Sequence, residues 1–134
     1  MLGSAIARDG STGEAVAKRQ LPIVGSGAGV WSFVHVDDAA AATVAALDAN
    51  KPGVFNVVDD EPARVADWIP ALAEALAARK PRKVPALLAR PLAGRYGVTM
   101  MTEAQGATNA RAKHELGWSP KHASWRDGFR TALD

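Results

Sequence analysis

The 134-residue sequence predicts a single mixed α/β domain. Two patterns and one balance carry that expectation. Short apolar runs of strand length, LPIVG (21–25), VWSFVHV (30–36) and GVFNVV (53–58), alternate with stretches of helical character. GVFNVV is apolar almost throughout, the pattern of a strand covered on both faces. The apolar fraction of 48% and charged fraction of 22% are those of an ordinary globular domain, and the length suffices for one real core.

The elements follow in order. GEAVAKRQ (13–20) reads as a short helix behind the turn residues DGSTG. LPIVG reads as a strand. Gly25, Gly27 and Gly29 then follow with G-x-G-x-G spacing, and another strand comes next. A dinucleotide fingerprint would run G-x-G-x-x-G and open a helix, so a glycine-rich hairpin turn is the better reading. In VWSFVHV the alternation puts Trp31, Phe33 and His35 on one face and Ser32 and Val34 on the other. DDAAAATVAALDAN is a helix, with Asp37 or Asp38 as its N-cap.

The strongest helical pattern comes after DDEP. Val65, Trp68, Ile69, Leu72 and Leu76 recur on one helical face. Pro70 lacks the amide an interior position donates, so the helix is expected to start near Asp67 or to kink. RKVP reads as a short strand, and ALLARPLAGRYG as helix with a break at Pro91. TNARAKHELGW is a helix capped by Thr108 or Asn109 and stopped by Gly117. SWRDGFRTAL closes the chain as a helix with Trp125, Phe129 and Leu133 on one face.

Composition narrows the chemistry. Without cysteine there is no disulfide frame, thiolate nucleophile or cysteine-based zinc site, which is compatible with a reducing cytoplasm. No apolar run approaches the roughly 20 residues of a membrane helix. The start MLGSAIARDGSTGE lacks the basic and apolar regions of a secretory leader. Net charge is +2, yet Lys and Arg concentrate in the second half, most densely in RKPRK (79–83). That run reads first as a solvated loop after a helix, second as a phosphate or nucleic-acid patch. No aromatic residue interleaves with it, so nucleic acid is not the expected partner.

The stretch HVDD (35–38) invites a metal or acid–base reading. Zinc wants three convergent ligands and His35 is the one good donor there, so a strand-to-helix seam with capping aspartates accounts better for it. His35 still lies at a strand end, where α/β proteins build sites. Asp59, Asp60 and Glu61 could serve acid–base work or hold a hard cation, against the plainer role of a loop capping the next helix. Of the four tryptophans, Trp68 and Trp125 read as core, Trp118 as packing for the returning chain, and Trp31 as a candidate pocket wall.

The segments GVWSFVHVDDAAAATVAAL, GVFNVVDDEPARVADWIPALAEAL, ARAKHELGWSP and WRDGF, in that order, resemble the C-terminal part of extended short-chain dehydrogenase/reductases, the NAD(P)-dependent epimerase/dehydratase family. The resemblance covers almost the whole chain. It implies the substrate lobe and last strand or strands of a Rossmann-type fold, with an incomplete sheet, and NAD or NADP as cofactor of a complete member. It also implies a G-x-x-G-x-x-G turn and a Tyr-x-x-x-Lys pair. Neither occurs: Tyr96 is the only tyrosine and Met100 stands four residues on. The chain is therefore expected to hold no cofactor and to run no family reaction alone. Its partner is expected to be the cofactor half or a second copy. Nucleotide-sugar members carry an arginine where this chain has Trp31, and an indole cannot neutralise a diphosphate, so the resemblance implies a less charged small-molecule substrate. Trp31, Ser32, His35 and Arg95 are the substrate-binding candidates. A non-catalytic, self-associating module built from the same segments is the alternative.

Overall fold

The computed structural model describes the backbone of residues 11–133 and the side chains of residues 11–131. The turn residues Asp9 and Gly10, the earlier part of MLGSAIARDGSTGE and the side chain of Leu133 lie outside the described residues. Among the described residues six helices and four two-residue strands follow one another: α1 (Ser11–Ala17), β1 (Ile23–Val24), β2 (Val30–Trp31), α2 (Val36–Ala49), β3 (Ala63–Arg64), α3 (Val65–Ala75), β4 (Lys83–Val84), α4 (Ala86–Thr102), α5 (Ala110–Leu116) and α6 (Trp125–Leu133).

The expected α/β class holds, with a small and divided sheet. β1 pairs parallel with β4, Ile23 opposite Lys83, and β2 pairs antiparallel with β3, Val30 opposite Arg64. This corrects the hairpin expected at Gly25 to Gly29, because β1 and β2 belong to different sheets. The chain between them is held by other elements instead: Gly29 N–H donates to the Met101 carbonyl at 3.0 Å and Val30 N–H to Ala104 at 2.7 Å. GVFNVV is also corrected. It forms no ladder, only an isolated bridge position at Val57, and Val54 is 76% exposed while Val58 is fully buried.

α3 is the centre of the molecule. Val65, Trp68, Ile69 and Leu72 are fully buried, as their spacing requires. At about 1.5–3 kcal/mol each, these four side chains dominate local stability. The helix begins at Val65, two residues before the expected start, and runs through Pro70 without ending. Trp68 anchors a chain of rings: Trp31 at 5.1 Å, Phe33 at 5.3 Å, then Phe129 at 5.4 Å from Phe33 and Trp125 at 5.3 Å from Phe129. A second, smaller core joins Ala42 of α2 to Ala112, Leu116 and Trp118. α5 has Asn109 as N-cap and ends on Gly117 at φ 62°, both as expected.

α4 differs from expectation in a way that matters. Its break is at Gly94 (φ 72°, ψ 171°), not at Pro91. A straight 17-residue helix would span about 25 Å. Yet a Cβ on Gly25 would lie 3.7 Å from Ala86 and 3.4 Å from Thr102, the two ends of α4. The element is therefore a helical hairpin that turns at Gly94 and projects its tip away from the glycine turn.

Candidate functional site

Both strands of the parallel pair end at the same place. Val24 runs into Gly25, and Val84 into Pro85 and the first arm of α4. The carboxyl edge of parallel strands is where α/β proteins place ligands. A cleft of about 550 Å³ opens beside it, lined by Ala28, Val30, Pro62, Thr102, Gln105 and Thr108 among others. Its size is that of a small-molecule site.

The glycine turn shapes this region without forming a phosphate cradle. A Cβ on Gly29 would sit 2.5 Å from the Met100 carbonyl oxygen, and one on Gly27 would sit 2.9 Å from the Ala66 nitrogen. The close approaches are to protein atoms, and a strand follows the turn instead of a helix N-terminus. A dinucleotide pyrophosphate does not fit at this turn.

None of the four substrate-side candidates lines this cleft, and they are not gathered at one place. Trp31 packs on Trp68 and donates its Nε1–H to the Met100 carbonyl at 2.8 Å, tying β2 to the second arm of α4. Ser32 is buried; its Oγ accepts from Ala107 N–H at 2.8 Å and so fixes the loop that lines the cleft. His35 is the actual N-cap of α2, its Nδ1 accepting from Asp37 N–H at 3.3 Å, and its ring stacks on His122 at 3.9 Å. Arg95 stands exposed beyond the Gly94 turn, and no contact among the described residues joins it to the other three.

The expectation that Asp37 or Asp38 caps α2 is thus corrected, and Val36 is helical. Asp38 is 1% exposed and points across the molecule. Its Oδ1 accepts from Lys121 N–H at 2.8 Å, and its Oδ2 from His122 N–H at 2.9 Å, with His122 Nδ1 at 3.1 Å. Burial alone would raise the Asp38 carboxyl, but the Lys121 and His122 N–H groups outweigh it and hold the group below the usual carboxylate range. The Trp118 indole donates to the Asp38 carbonyl at 3.1 Å, so this one residue fastens the whole α5–α6 connection to α2.

Asp59, Asp60 and Glu61 divide their work instead of capping α3, whose N-cap is Arg64. Asp60 meets Lys113 at 2.6 Å and the Asn109 amide at 2.7 Å. Burial favours a higher value there, and those two partners hold the carboxyl below the ordinary range. Glu61 accepts from the Ser124 hydroxyl and lies 3.6 Å from Arg126. Asp59 is 3% exposed; its Oδ1 accepts from Glu61 N–H at 3.2 Å and its Oδ2 has no hydrogen-bond partner. Burial, with Glu61 and Asp60 nearby, pushes the Asp59 carboxyl up to about 7. It borders a cleft of about 430 Å³ shared with Asn109 and Lys113. Among the described residues no three His, Asp or Glu side chains converge as a metal site.

Sequence reasoning missed His122 and the side-chain role of Asn109. Asn109 donates to the Val58 carbonyl at 2.9 Å as well as to Asp60. An asparagine at a helix start is a cap by default, and nothing local marks it as a cross-chain strut.

Comparison with known proteins shows what the chain is similar to. A profile of the NAD dependent epimerase/dehydratase family matches residues 4–58. The chain is 49% identical over 127 residues to a 3-diazoavenalumate denitrifying reductase from Streptomyces, covering 95% of this chain and 42% of that protein. A human epimerase family protein solved with NADPH has the same fold, with a TM-score of 0.80 at 23% identity, over 98% of this chain and 46% of its own. A dTDP-glucose 4,6-dehydratase from Bacillus anthracis solved with NAD matches at a TM-score of 0.69 and 15% identity, over 98% of this chain and 41% of its own. The chain spans less than half the length of each. Over residues 4–58 the chain is similar to the NAD dependent epimerase/dehydratase family, and nearly all of it has the fold of part of a larger Rossmann-type protein.

Proposed function

We propose that this chain is the substrate-side portion of an NAD(P)-dependent epimerase/dehydratase-like oxidoreductase, not catalytic by itself, and that a cofactor-binding half completes it. The observation that carries the reading is a mismatch. The chain matches family members over nearly all of its own length, but its sequence holds neither the glycine fingerprint nor a Tyr-x-x-x-Lys pair. The glycine turn it does have is packed against backbone.

The curated relative is a reductase, which favours reductive chemistry on a small organic substrate over sugar epimerisation. Trp31 supports the same choice, since its indole is engaged with Met100 and Trp68 and offers a diphosphate no charge. In this reading Ser32 and Trp31 hold the walls of the cleft, His35 sets the start of α2 beside it, and Arg95 is the cation nearest the hairpin turn. NAD or NADP belongs to the completed protein. No helix among the described residues is long and apolar enough to cross a membrane, and we place the protein in the cytoplasm on its cysteine-free composition.

The test is a thermal melt of the 134-residue chain with and without excess NAD and NADP. A ligand that binds only the folded state raises the midpoint. The expected result is a cooperative transition that neither nucleotide moves. A clear rise with either one would place a cofactor site within this chain and overturn the reading. The alternative, a self-associating module, is favoured by the exposed Leu47, Leu87, Leu88 and Leu92.

A further inference from the structure

Charge is segregated along this chain. Residues 75–102 hold six cations (Arg79, Lys80, Arg82, Lys83, Arg90 and Arg95) and no carboxylate. Residues 21–50 hold no Lys or Arg and three aspartates, Asp37, Asp38 and Asp48. The fold turns each bias into a surface. Along the α4 hairpin, from its first arm to just past the Gly94 turn, Leu88 is 63%, Leu92 89% and Tyr96 78% exposed, interleaved with the exposed Arg90 and Arg95. On the outer face of α2, Asp37, Ala41, Val44 and Asp48 fall at i, i+4, i+7 and i+11, a single stripe along the helix. All four are exposed, and Leu47 beside them is 77% exposed. Asp38 is not part of this face, being spent on the His122 loop.

One surface is thus apolar and flanked by arginines; the other is apolar and flanked by aspartates. We propose that a second copy of this chain seats the exposed face of its α4 hairpin on the outer face of α2. Leu88, Leu92 and Tyr96 cover Val44 and Leu47, while Arg90 and Arg95 face Asp37 and Asp48. Among the described residues neither arginine has an ion-pair partner within its own chain. Asp37 has only the neighbouring His35, with Oδ2 at 3.7 Å from Nδ1.

The occupant follows from the complementarity. An anionic lipid surface would suit the hairpin but would repel the α2 face and leave its apolar residues bare. A nucleic acid would do the same. A second copy satisfies both surfaces at once, and it covers apolar area that a monomer rarely leaves open. The contact is heterologous, so each copy offers both halves.

Sedimentation velocity across a concentration series of the 134-residue chain tests this. Association is expected, weakening between about 50 mM and about 500 mM salt as charges are screened. Arg90→Glu with Arg95→Glu, and separately Asp37→Lys with Asp48→Lys, are each expected to weaken association by about tenfold or more. Mixing the two reversed variants is the decisive arm. The acidic hairpin of one then meets the basic α2 of the other, and association returns. Because Asp37 sits at a helix N-terminus, the single Asp48→Lys variant, mixed likewise, guards against a folding defect. A wild type that stays monomeric, association untouched by either reversal, or mixing without rescue would each overturn the proposal. So would a monomer that binds phosphatidylglycerol vesicles through the hairpin, which would assign that surface to lipid.

Discussion

Replacing Asp59 by asparagine should stabilise this protein at neutral and alkaline pH, although Asp59 is buried at the centre of its loop. In the folded chain its carboxyl titrates near 7, against an ordinary value of 3.8. The folded state therefore holds the proton more tightly than the unfolded state between those values. Stability is fully present below 3.8 and is lost as pH rises towards 7. At about 1.4 kcal/mol per pH unit, the ionised carboxylate costs about 4 kcal/mol above that range. Asparagine keeps the acceptor for the Glu61 N–H but buries an unpaired amide where Oδ2 stood, at about 1–3 kcal/mol. Asp59→Asn should thus gain about 1–3 kcal/mol at pH 8 and lose about 1–3 kcal/mol at pH 4, where the carboxyl is protonated and only the unpaired amide counts. Urea denaturation of both proteins at several pH values measures this. The difference between the curves isolates Asp59 from every group they share. A difference that does not change with pH would refute the reasoning, because the burial then would not govern the proton.

Other positions give equally definite outcomes. Asp38→Ala leaves the Lys121 and His122 N–H groups without their acceptor, and urea midpoints should show a loss of about 2–4 kcal/mol; less than about 1 kcal/mol would mean the loop does not depend on it. Because the Asp38 carboxyl is held low, its contribution should persist at all pH values above 3.8 and vanish only as acid protonates it. Gly29→Ala places a methyl 2.5 Å from the Met100 oxygen and 2.7 Å from the Met101 carbonyl carbon; a cost of about 1–3 kcal/mol in thermal melts is expected, and a neutral result would mean that backbone moves freely. Pro70→Ala restores an amide inside α3 and should raise stability by about 1–2 kcal/mol after the lost rigidity of the unfolded chain is counted; a lowered melting midpoint would contradict it.

What could be read along the chain was whatever the chain decides locally. The 3.6-residue spacing of Val65, Trp68, Ile69 and Leu72 announces a buried helix face, because a helix turns that spacing into one stripe wherever it sits. The same holds for Gly117 as a helix stop and for the segment order that resembles a known family. Strand partners were not legible. Two-residue strands carry almost no alternation, and the glycine turn that reads as a hairpin leads into a different sheet. Proline and glycine compete as helix breakers in α4, and the φ of Gly94 decided the place.

The site divides in the same way. Local pattern is enough to mark residues 35–38 as the seam before a helix and to show that the printed sequence contains no G-x-x-G-x-x-G turn. That His35 caps the helix while Asp38 reaches His122, 84 positions away, depends on long-range packing. An aspartate at a helix start can bond its own backbone or a distant one. The choice depends on which N–H groups the rest of the fold delivers to it, and burial then makes that choice costly to undo.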